Sequence, residues 1–211
     1  MKLAPLLKNY ELLADRADEA FQKMGNEYGP CIKCERQCSD CCHAVFGLFA
    51  IEAAYIKTHF EQLDGEKRKS ALLRCNEADR ALKRLEVKMQ MHGDDDPRTQ
   101  ALVMASERIS CPLLDEGQDC IIYSHRPITC RVYGIPTMVQ GHTRVCGKSL
   151  FRKGESYPVF NLDGVYGDLY ALSRELLENA EKGDPAKADL LVSVSRAIST
   201  PLDDLLYETF E

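Results

Sequence analysis

The sequence has no long apolar run and no excess of positive charge, and these two absences limit its partners. No stretch approaches the roughly twenty apolar residues that a membrane helix needs. Lys and Arg total 27 against 33 Asp and Glu, so the formal net charge is -6. This charge argues against a nucleic-acid or anionic-membrane surface as the main partner. The first residues lack the continuous apolar segment of a secretory signal, and we therefore expect a cytoplasmic protein.

Motifs of common enzyme classes are also missing. The chain has no glycine-rich phosphate-binding loop and no nucleophile elbow. Its five histidines are dispersed along the chain. Of these, His43 and His142 lie close to cysteines and are candidates for minor ligands, although ordinary surface positions are the simpler interpretation. The sequence therefore predicts no catalytic residue, and it leaves open whether the protein is an enzyme.

Cysteine, in contrast, is abundant, with ten in the chain. Five fall within residues 31–42, which we call the first thiol segment, and four fall within residues 111–146, the second thiol segment. Protein cores scatter their cysteines, whereas a loop with thiols two or three residues apart can direct several thiolates at one metal. In a reducing compartment such thiols are expected to bind metal or to act in redox chemistry. The alternative is an exported protein with a disulfide framework.

Cys75 differs from the other cysteines because it lies on the apolar face of a predicted helix, which favours a place in the core. Setting it aside leaves nine thiols, of which eight form the candidate metal-ligand set, enough for two four-thiolate sites: Cys34, Cys38, Cys41, Cys42, Cys111, Cys120, Cys130 and Cys146. Cys31 is a less favoured ninth candidate. Adjacent side chains point in different directions, so Cys41 and Cys42 are not expected to bind the same single ion. They suit two ions, two irons of one cluster or two separate centres.

Outside the thiol segments, apolar residues recur at helical spacing. The pattern predicts helices over residues 5–24, 48–63, 66–91 and 98–109, and a helical extension over 165–211 that contains stripes at 169–180 and 190–198 and a short last helix from Pro201. Between them, residues 93–97 are a predicted turn, and residues 121–123 and 137–140 are predicted short strands, the latter in a hairpin around Gly141. We expect one domain over residues 1–211 of mainly α fold. Its helices would surround an irregular, cysteine-rich metal-binding centre, residues 31–146, with a few short strands.

Four short motifs carry a resemblance to a known family. They are the block Cys34, Cys38, Cys41 and Cys42, then Cys111-Pro112-Leu113-Leu114, Cys120-Ile121-Ile122-Tyr123, and Arg126-Pro127-Ile128-Thr129-Cys130-Arg131. In order and chemistry they resemble the YkgJ-like cysteine-cluster (CxxCxxCC) family of zinc- or iron-chelating domains. The block departs from the family pattern by one extra residue between its first two cysteines. The resemblance covers residues 31–146 and implies bound iron or zinc.

The residues themselves favour an iron–sulfur cluster over zinc. A thiolate-only ligand set suits both, but the second thiol segment lacks the paired Cys-x2-Cys knuckles of structural zinc sites. Arg36, Arg126 and Arg131 lie near the cysteines and would offset the negative charge of a thiolate-bound cluster. We expect a metal-binding protein, with an iron–sulfur cluster or zinc, in a redox or accessory (maturation) role. The sequence leaves room for a protein partner and does not indicate the oligomeric state.

An iron–sulfur-dependent modification enzyme that uses S-adenosylmethionine is the alternative. Cys34, Cys38 and Cys41 have the spacing of radical S-adenosylmethionine enzymes, and the family that the chain resembles shares its cysteine domain with flagellin lysine methylases. This spacing is short, however, and recurs by chance in cysteine-rich loops. The pattern of elements also lacks the alternating strands and helices of the barrel that such enzymes use. The metal-binding interpretation is therefore preferred.

Overall fold

The computed structural model describes residues 3–92, 103–104, 106–181 and 183–207. Its helices are α1 (Leu3–Tyr28), α2 (Ala50–Phe60), α3 (Gly65–His92), α4 (Ile128–Val132), α5 (Leu162–Glu178), α6 (Val194–Ser199) and α7 (Leu202–Tyr207). Single 3-10 turns are formed by Gly29–Cys31, Asp40–His43, Tyr123–His125 and Pro185–Lys187, and the strands are β1 (Thr137–Val139), β2 (His142–Arg144) and β3 (Phe160–Asn161). The fold is mainly helical with an irregular cysteine-rich region, which confirms the predicted fold class. None of the described helices combines the length and the apolar character that a bilayer span requires.

Helix α2 is the centre of the fold, because all its residues from Ala50 to Lys57 are buried. One face joins a hydrophobic core built with α1, α4, α5 and α7, in which Tyr10 and Leu169 are fully buried. The other face joins a second core with α3, α6 and α7, and this core includes Cys75 and Leu113. Cys111 and Cys120 pack against the second core, so the thiols lie at its border. Whether residues 1–211 form one domain stays a prediction.

The small sheet has the strand order β2-β1-β3, with β1 antiparallel to β2 and parallel to β3. Gln140 and Gly141 connect β1 to β2 with φ values of 52° and 71°. Two consecutive residues at positive φ are typical of the tight turns that join twisted hairpin strands. The carboxylate of Asp163, at the start of α5, accepts hydrogen bonds from both turn amides, at 2.7 and 3.0 Å. The hairpin predicted near Gly141 is therefore confirmed.

Most helix predictions are confirmed, but several boundaries were wrong. Helix α1 continues through Gly25 to Tyr28, because one exposed glycine costs a helix only about 1 kcal/mol. The predicted helix over 190–198 begins only at Val194, where the Ser193 side chain accepts a hydrogen bond from the Arg196 amide and caps the helix. Leu190 lies outside this helix and is 37% exposed.

The strand predicted over 121–123 was also wrong. Its start makes only an isolated antiparallel bridge, between Cys120 and Leu114. The amides of Tyr123 and His125 bond to the carbonyls of Cys120 and Ile122, so the chain then turns locally. Helix α4 follows this turn and was not predicted. Of the predicted helix 98–109, residues 103, 104 and 106 are helical, and Arg108 forms an antiparallel bridge with Ala44. Residues 98–102 and 105 of this predicted helix, and the turn predicted over 93–97, lie outside the described residues.

Candidate metal centre

Backbone hydrogen bonds join the two thiol segments. The Cys111 amide donates to the Cys42 carbonyl at 2.7 Å, and the Ile109 amide donates to the His43 carbonyl at 3.1 Å. The 3-10 turn that carries Cys41 and Cys42 therefore lies directly against the start of the second segment. Chain regions that are about seventy residues apart in sequence are adjacent here, as the convergent site requires.

Polar side chains reinforce this contact. Arg108 donates to both the carboxylate and the carbonyl of Asp40, at 2.7 and 3.0 Å. The Ser39 hydroxyl donates to the Gln118 side-chain oxygen at 2.8 Å. Each pair joins a residue next to a first-segment cysteine to a residue of the 106–120 stretch, so the side chains hold the same two chain regions together.

Five thiols form an inner group, which consists of Cys41, Cys42, Cys111, Cys120 and Cys130. Within it, the Cys41 thiol hydrogen-bonds with those of Cys130 and Cys42, and the Cys42 thiol also hydrogen-bonds with that of Cys120. Although Cys41 and Cys42 are adjacent, they therefore reach different partners across the centre.

These contacts separate the inner thiols into acceptors and donors. Hydrogen bonds from Cys130 and Cys42 lower the pKa of Cys41 to about 3, and a hydrogen bond from Cys42 lowers the pKa of Cys120. Donating these hydrogen bonds raises the pKa of Cys42 and that of Cys130, and burial raises both as well. Two thiolates are thus stabilised by two neighbouring S–H groups, an arrangement in which a metal can replace protons.

Three thiols form an outer group, which consists of Cys34, Cys38 and Cys146. Cys34 as a whole is exposed, but its Sγ lies against Gly134. A Cβ added at residue 134 would overlap this sulfur. Partial desolvation of the thiol, followed by the neighbouring Cys38 and Cys146, raises the pKa of Cys34 to about 11. The Cys34 thiol is therefore protonated at neutral pH unless a cation replaces its proton.

Cys146 is tied to the first segment through Asp40. Its thiol donates to Asp40 Oδ2 at 3.3 Å and accepts from the Lys148 amide at 3.4 Å. Burial and the Asp40 carboxylate raise the pKa of Cys146. Asp40 thus connects Cys146 to Arg108, and through it to the contact between the two segments.

Both groups line two adjoining cavities of about 460 and 70 Å3. The larger cavity is lined by seven of the eight candidate ligands, and the smaller one by five, including Cys146. The structure thus brings all eight predicted cysteines together. Cys31 and Cys75 line neither of these two cavities. Cys75 lies instead in the second core, where its thiol donates to the Ala71 carbonyl at 3.5 Å.

Arg126 is the arginine that lies among the thiols. It lines both cavities, and its guanidinium carbon is 4.0 Å from the centre of the Tyr123 ring. Its positive charge lowers the pKa of Cys41 and also opposes the rise in that of Cys34. Within the described residues, the buried Nε of Arg126 has no hydrogen-bond partner.

The other two predicted arginines have different positions. Arg131 lines the smaller cavity, but it is buried, pairs with Asp18 and donates to the carbonyls of Arg126 and Ser124, so its guanidinium fixes the backbone. Arg36 is exposed and lies at the mouth of the larger cavity, 3.4 Å from Asp119.

His43, His142 and the His59–His125 pair do not converge on one site. His43 follows Cys42 in its 3-10 turn, and burial lowers its pKa. His142 is exposed on β2. His59 and His125 stack on each other with ring centres 3.6 Å apart, next to Tyr55. Among the residues that the structure describes, no three His, Cys, Asp or Glu side chains already have the spacing of ligands to one ion, and the inner thiols hydrogen-bond with one another.

Sequence reasoning missed two residues that position the thiols. Gly134 gives room to Cys34, and the fully buried Glu52 accepts hydrogen bonds from the amides of Ile128 and Phe49, at 3.1 and 3.3 Å. Ile128 begins α4, which carries Cys130, so Glu52 fixes this helix against α2. The signal for Glu52 was a single acidic residue within an otherwise apolar run of α2.

Taken together, these features define a thiol-rich domain whose cysteines converge from two distant segments. A family model described as "Putative zinc- or iron-chelating domain" (CxxCxxCC) matches residues 33–147, which is more than half of the chain. The chain belongs to this family. No curated protein and no solved structure matches it.

Proposed function

We propose that the protein binds iron or zinc through the eight converging cysteines, and that the bound group is an iron–sulfur cluster. The observation that carries this proposal is the convergence itself, since all eight candidate thiols line the two adjoining cavities. A family described as zinc- or iron-chelating supports the same class of ligand. Iron is favoured because the donors are thiols throughout and the second thiol segment has no Cys-x2-Cys knuckle.

The chemistry of the donor set fits such a group. Soft thiolate donors select zinc, copper(I) and iron–sulfur clusters. The stabilised thiolates of Cys41 and Cys120 provide two anionic donors, and Cys42 and Cys130 would lose their protons when metal binds. The unpartnered Nε–H of Arg126 supports an anionic centre, because sulfur atoms of a bound cluster accept hydrogen bonds that tune its potential.

We further propose a redox or accessory role in the cytoplasm, in which a protein partner would exchange metal or electrons with the centre. The difference in solvent exposure between the inner thiols and Cys34 supports this role. The inner group is covered by the two segments, whereas Cys34 and the mouth residue Arg36 face solvent. A reducing compartment would keep the ten thiols available for metal. We also propose that residues 1–211 act as one domain, since α2 contributes to both cores.

Purification without oxygen, followed by metal and acid-labile sulfide analysis and an absorption spectrum, tests the proposal. We expect iron with sulfide and a thiolate-to-iron absorption band. Zinc in place of iron would contradict the proposed iron–sulfur cluster but would agree with the proposed chelating function. A folded protein without metal, in which all ten thiols react freely, would contradict both.

The S-adenosylmethionine enzyme remains the second candidate, and binding of that compound distinguishes it. Cys34, Cys38 and Cys41 all line the larger cavity, so the three-cysteine spacing is compatible with one centre. With all eight cysteines as ligands, no iron would be left open for S-adenosylmethionine. We therefore expect the spectrum of the loaded protein to stay unchanged when the compound is added, and a clear change would favour the enzyme.

A further inference from the structure

The larger cavity is much bigger than a metal ion requires. Its volume of about 460 Å3 falls within the range of about 300–1,000 Å3 that is typical of small-molecule sites. Seven of the candidate thiols line this cavity, but so do side chains of α3, of α6 and of the segments on either side of the Cys42–Cys111 contact. We call the part of the cavity that these other elements line the apolar chamber.

The apolar chamber is lined by side chains that cannot bind metal: Val45, Phe46, Ala78, Leu82, Ile109 and Val194. Ala78 and Leu82 lie on α3 at helical spacing from the buried Cys75, so this face of the helix passes from the second core into the chamber. The wall is thus built from several separate elements.

Both serines that line the cavity from the start of α6 already use their hydroxyls within the fold. The Ser193 hydroxyl caps α6 by accepting from the Arg196 amide, and the Ser195 hydroxyl donates to the Cys75 carbonyl at 3.4 Å. Water would therefore find few hydrogen-bond partners in the chamber, and apolar cavities of this kind take up apolar molecules readily.

Apart from the thiolates of the metal centre, the charges that line the cavity balance one another. Glu35 and Asp119 stand against Arg36 and Arg126, and Arg36 is paired with Asp119 at the mouth. Because the mouth has no excess of either sign, it selects neither an anionic nor a cationic ligand.

We propose that the apolar chamber binds a small, uncharged organic molecule whose apolar body packs against Phe46, Leu82 and Val194. The ligand lies in the same cavity as seven of the thiols, so its presence controls access to them. This site goes beyond metal binding and does not depend on which metal the thiols hold.

Binding of N-phenyl-1-naphthylamine, an uncharged dye that fluoresces in apolar surroundings, tests the site on protein isolated without oxygen. We expect one dye per chain, displaced by primary alcohols from propanol to heptanol with an affinity that rises about fourfold per added methylene group. Leu82→Trp fills the chamber and should weaken dye binding at least tenfold. Leu73→Trp, at a position on α3 that is 65% exposed, is the matched control and should bind the dye like the natural protein.

Equal dye binding by Leu82→Trp and Leu73→Trp, or no dye binding by the natural protein, would contradict the proposed ligand site in the apolar chamber. Ala78→Leu provides a second, smaller filling if Leu82→Trp does not keep its helical circular dichroism. The metal content of every sample is measured in parallel. Metal without chain-length-dependent binding would overturn only the chamber, whereas chain-length-dependent binding in a protein that takes up no metal would overturn only the proposed function.

Discussion

Cys130 and Cys75 are both buried thiols, yet their surroundings predict opposite effects of mutation. Cys130 contacts Cys41 within the inner group, whereas Cys75 bonds to backbone carbonyls in the second core. We expect Cys130→Ala to lose bound metal. Cys75→Ala should keep the metal and lose only about 1 kcal/mol of unfolding free energy. Metal analysis and denaturant unfolding measure both, and equal metal loss in the two variants would show that Cys75 is a ligand.

Gly134 is predicted to control the position of Cys34. A Cβ in Gly134→Ala would overlap Cys34 Sγ, so the Cys34 thiol must move and the metal affinity should fall at least several-fold. Gly147→Ala is the control, because a Cβ at Gly147 meets nothing within 4 Å. Competition with a chelator measures both affinities. An unchanged affinity in Gly134→Ala would remove Cys34 from the ligand set.

Arg126 is predicted to set the pH at which metal binds. Its charge favours the thiolate forms of Cys34 and Cys41, and thiols must lose their protons to bind metal. In Arg126→Gln these pKa values rise, so the midpoint of zinc uptake should move to higher pH, by several tenths of a pH unit or more. Arg36→Gln, at an exposed position, should leave the midpoint almost unchanged. A shift to lower pH in Arg126→Gln would contradict this role.

At the residue scale, the sequence identified which cysteines converge but not how they pair. The bunching of the thiols gave the eight candidates, and helical spacing, which is visible in the sequence, separated Cys75 from them. The contact between Cys41 and Cys130 depends on the 3-10 turn and on α4, which pattern reasoning did not predict. Metal ligation by the eight cysteines stays a prediction.

Among the elements, the start of helix α4 is held in place by the buried carboxylate of Glu52. Glu52 accepts the first amide of α4, and burial raises its pKa from 4.5 to about 7. Between these pH values the folded protein holds a proton that the unfolded chain has lost. Glu52 therefore makes the unfolding free energy fall as pH rises from about 4.5 to 7, by an amount on the order of 3 kcal/mol.

Glu52→Gln should remove this pH dependence while it keeps a side-chain oxygen as an acceptor. The measurement is the unfolding free energy of the variant and of the natural protein at pH 5 and pH 8. Glu86→Gln, at an exposed position on α3, is the control and should keep the slope of the natural protein. A slope that persists in Glu52→Gln would assign the titration to another group.

Long helices were predictable, whereas the short helix α4 was not. Helices α1, α3 and α5 have apolar faces that repeat over several turns, so their existence could be read from the sequence. The five residues of α4 are too few to show a period, and its start is fixed by Glu52 from α2, a tertiary contact. The apolar residues of 121–123 suggested a strand, but local turn hydrogen bonds prevailed.

For the whole molecule, we expect metal binding and folding to be coupled across the two thiol segments. Joining them closes a loop of roughly seventy residues, which costs chain entropy. Thiolate–metal bonds can contribute on the order of 10 kcal/mol, more than enough to offset that cost. The cores around α2, by contrast, are built from helices that need no metal for their hydrogen bonds.

Hydrogen exchange of the metal-loaded and metal-free forms tests this central claim most directly. On removal of the metal, we expect residues 31–42 and 111–147 to lose amide protection together, while α1 and α5 stay protected. If only one of the two thiol segments loses protection, they do not share a metal centre, and the convergent site is wrong.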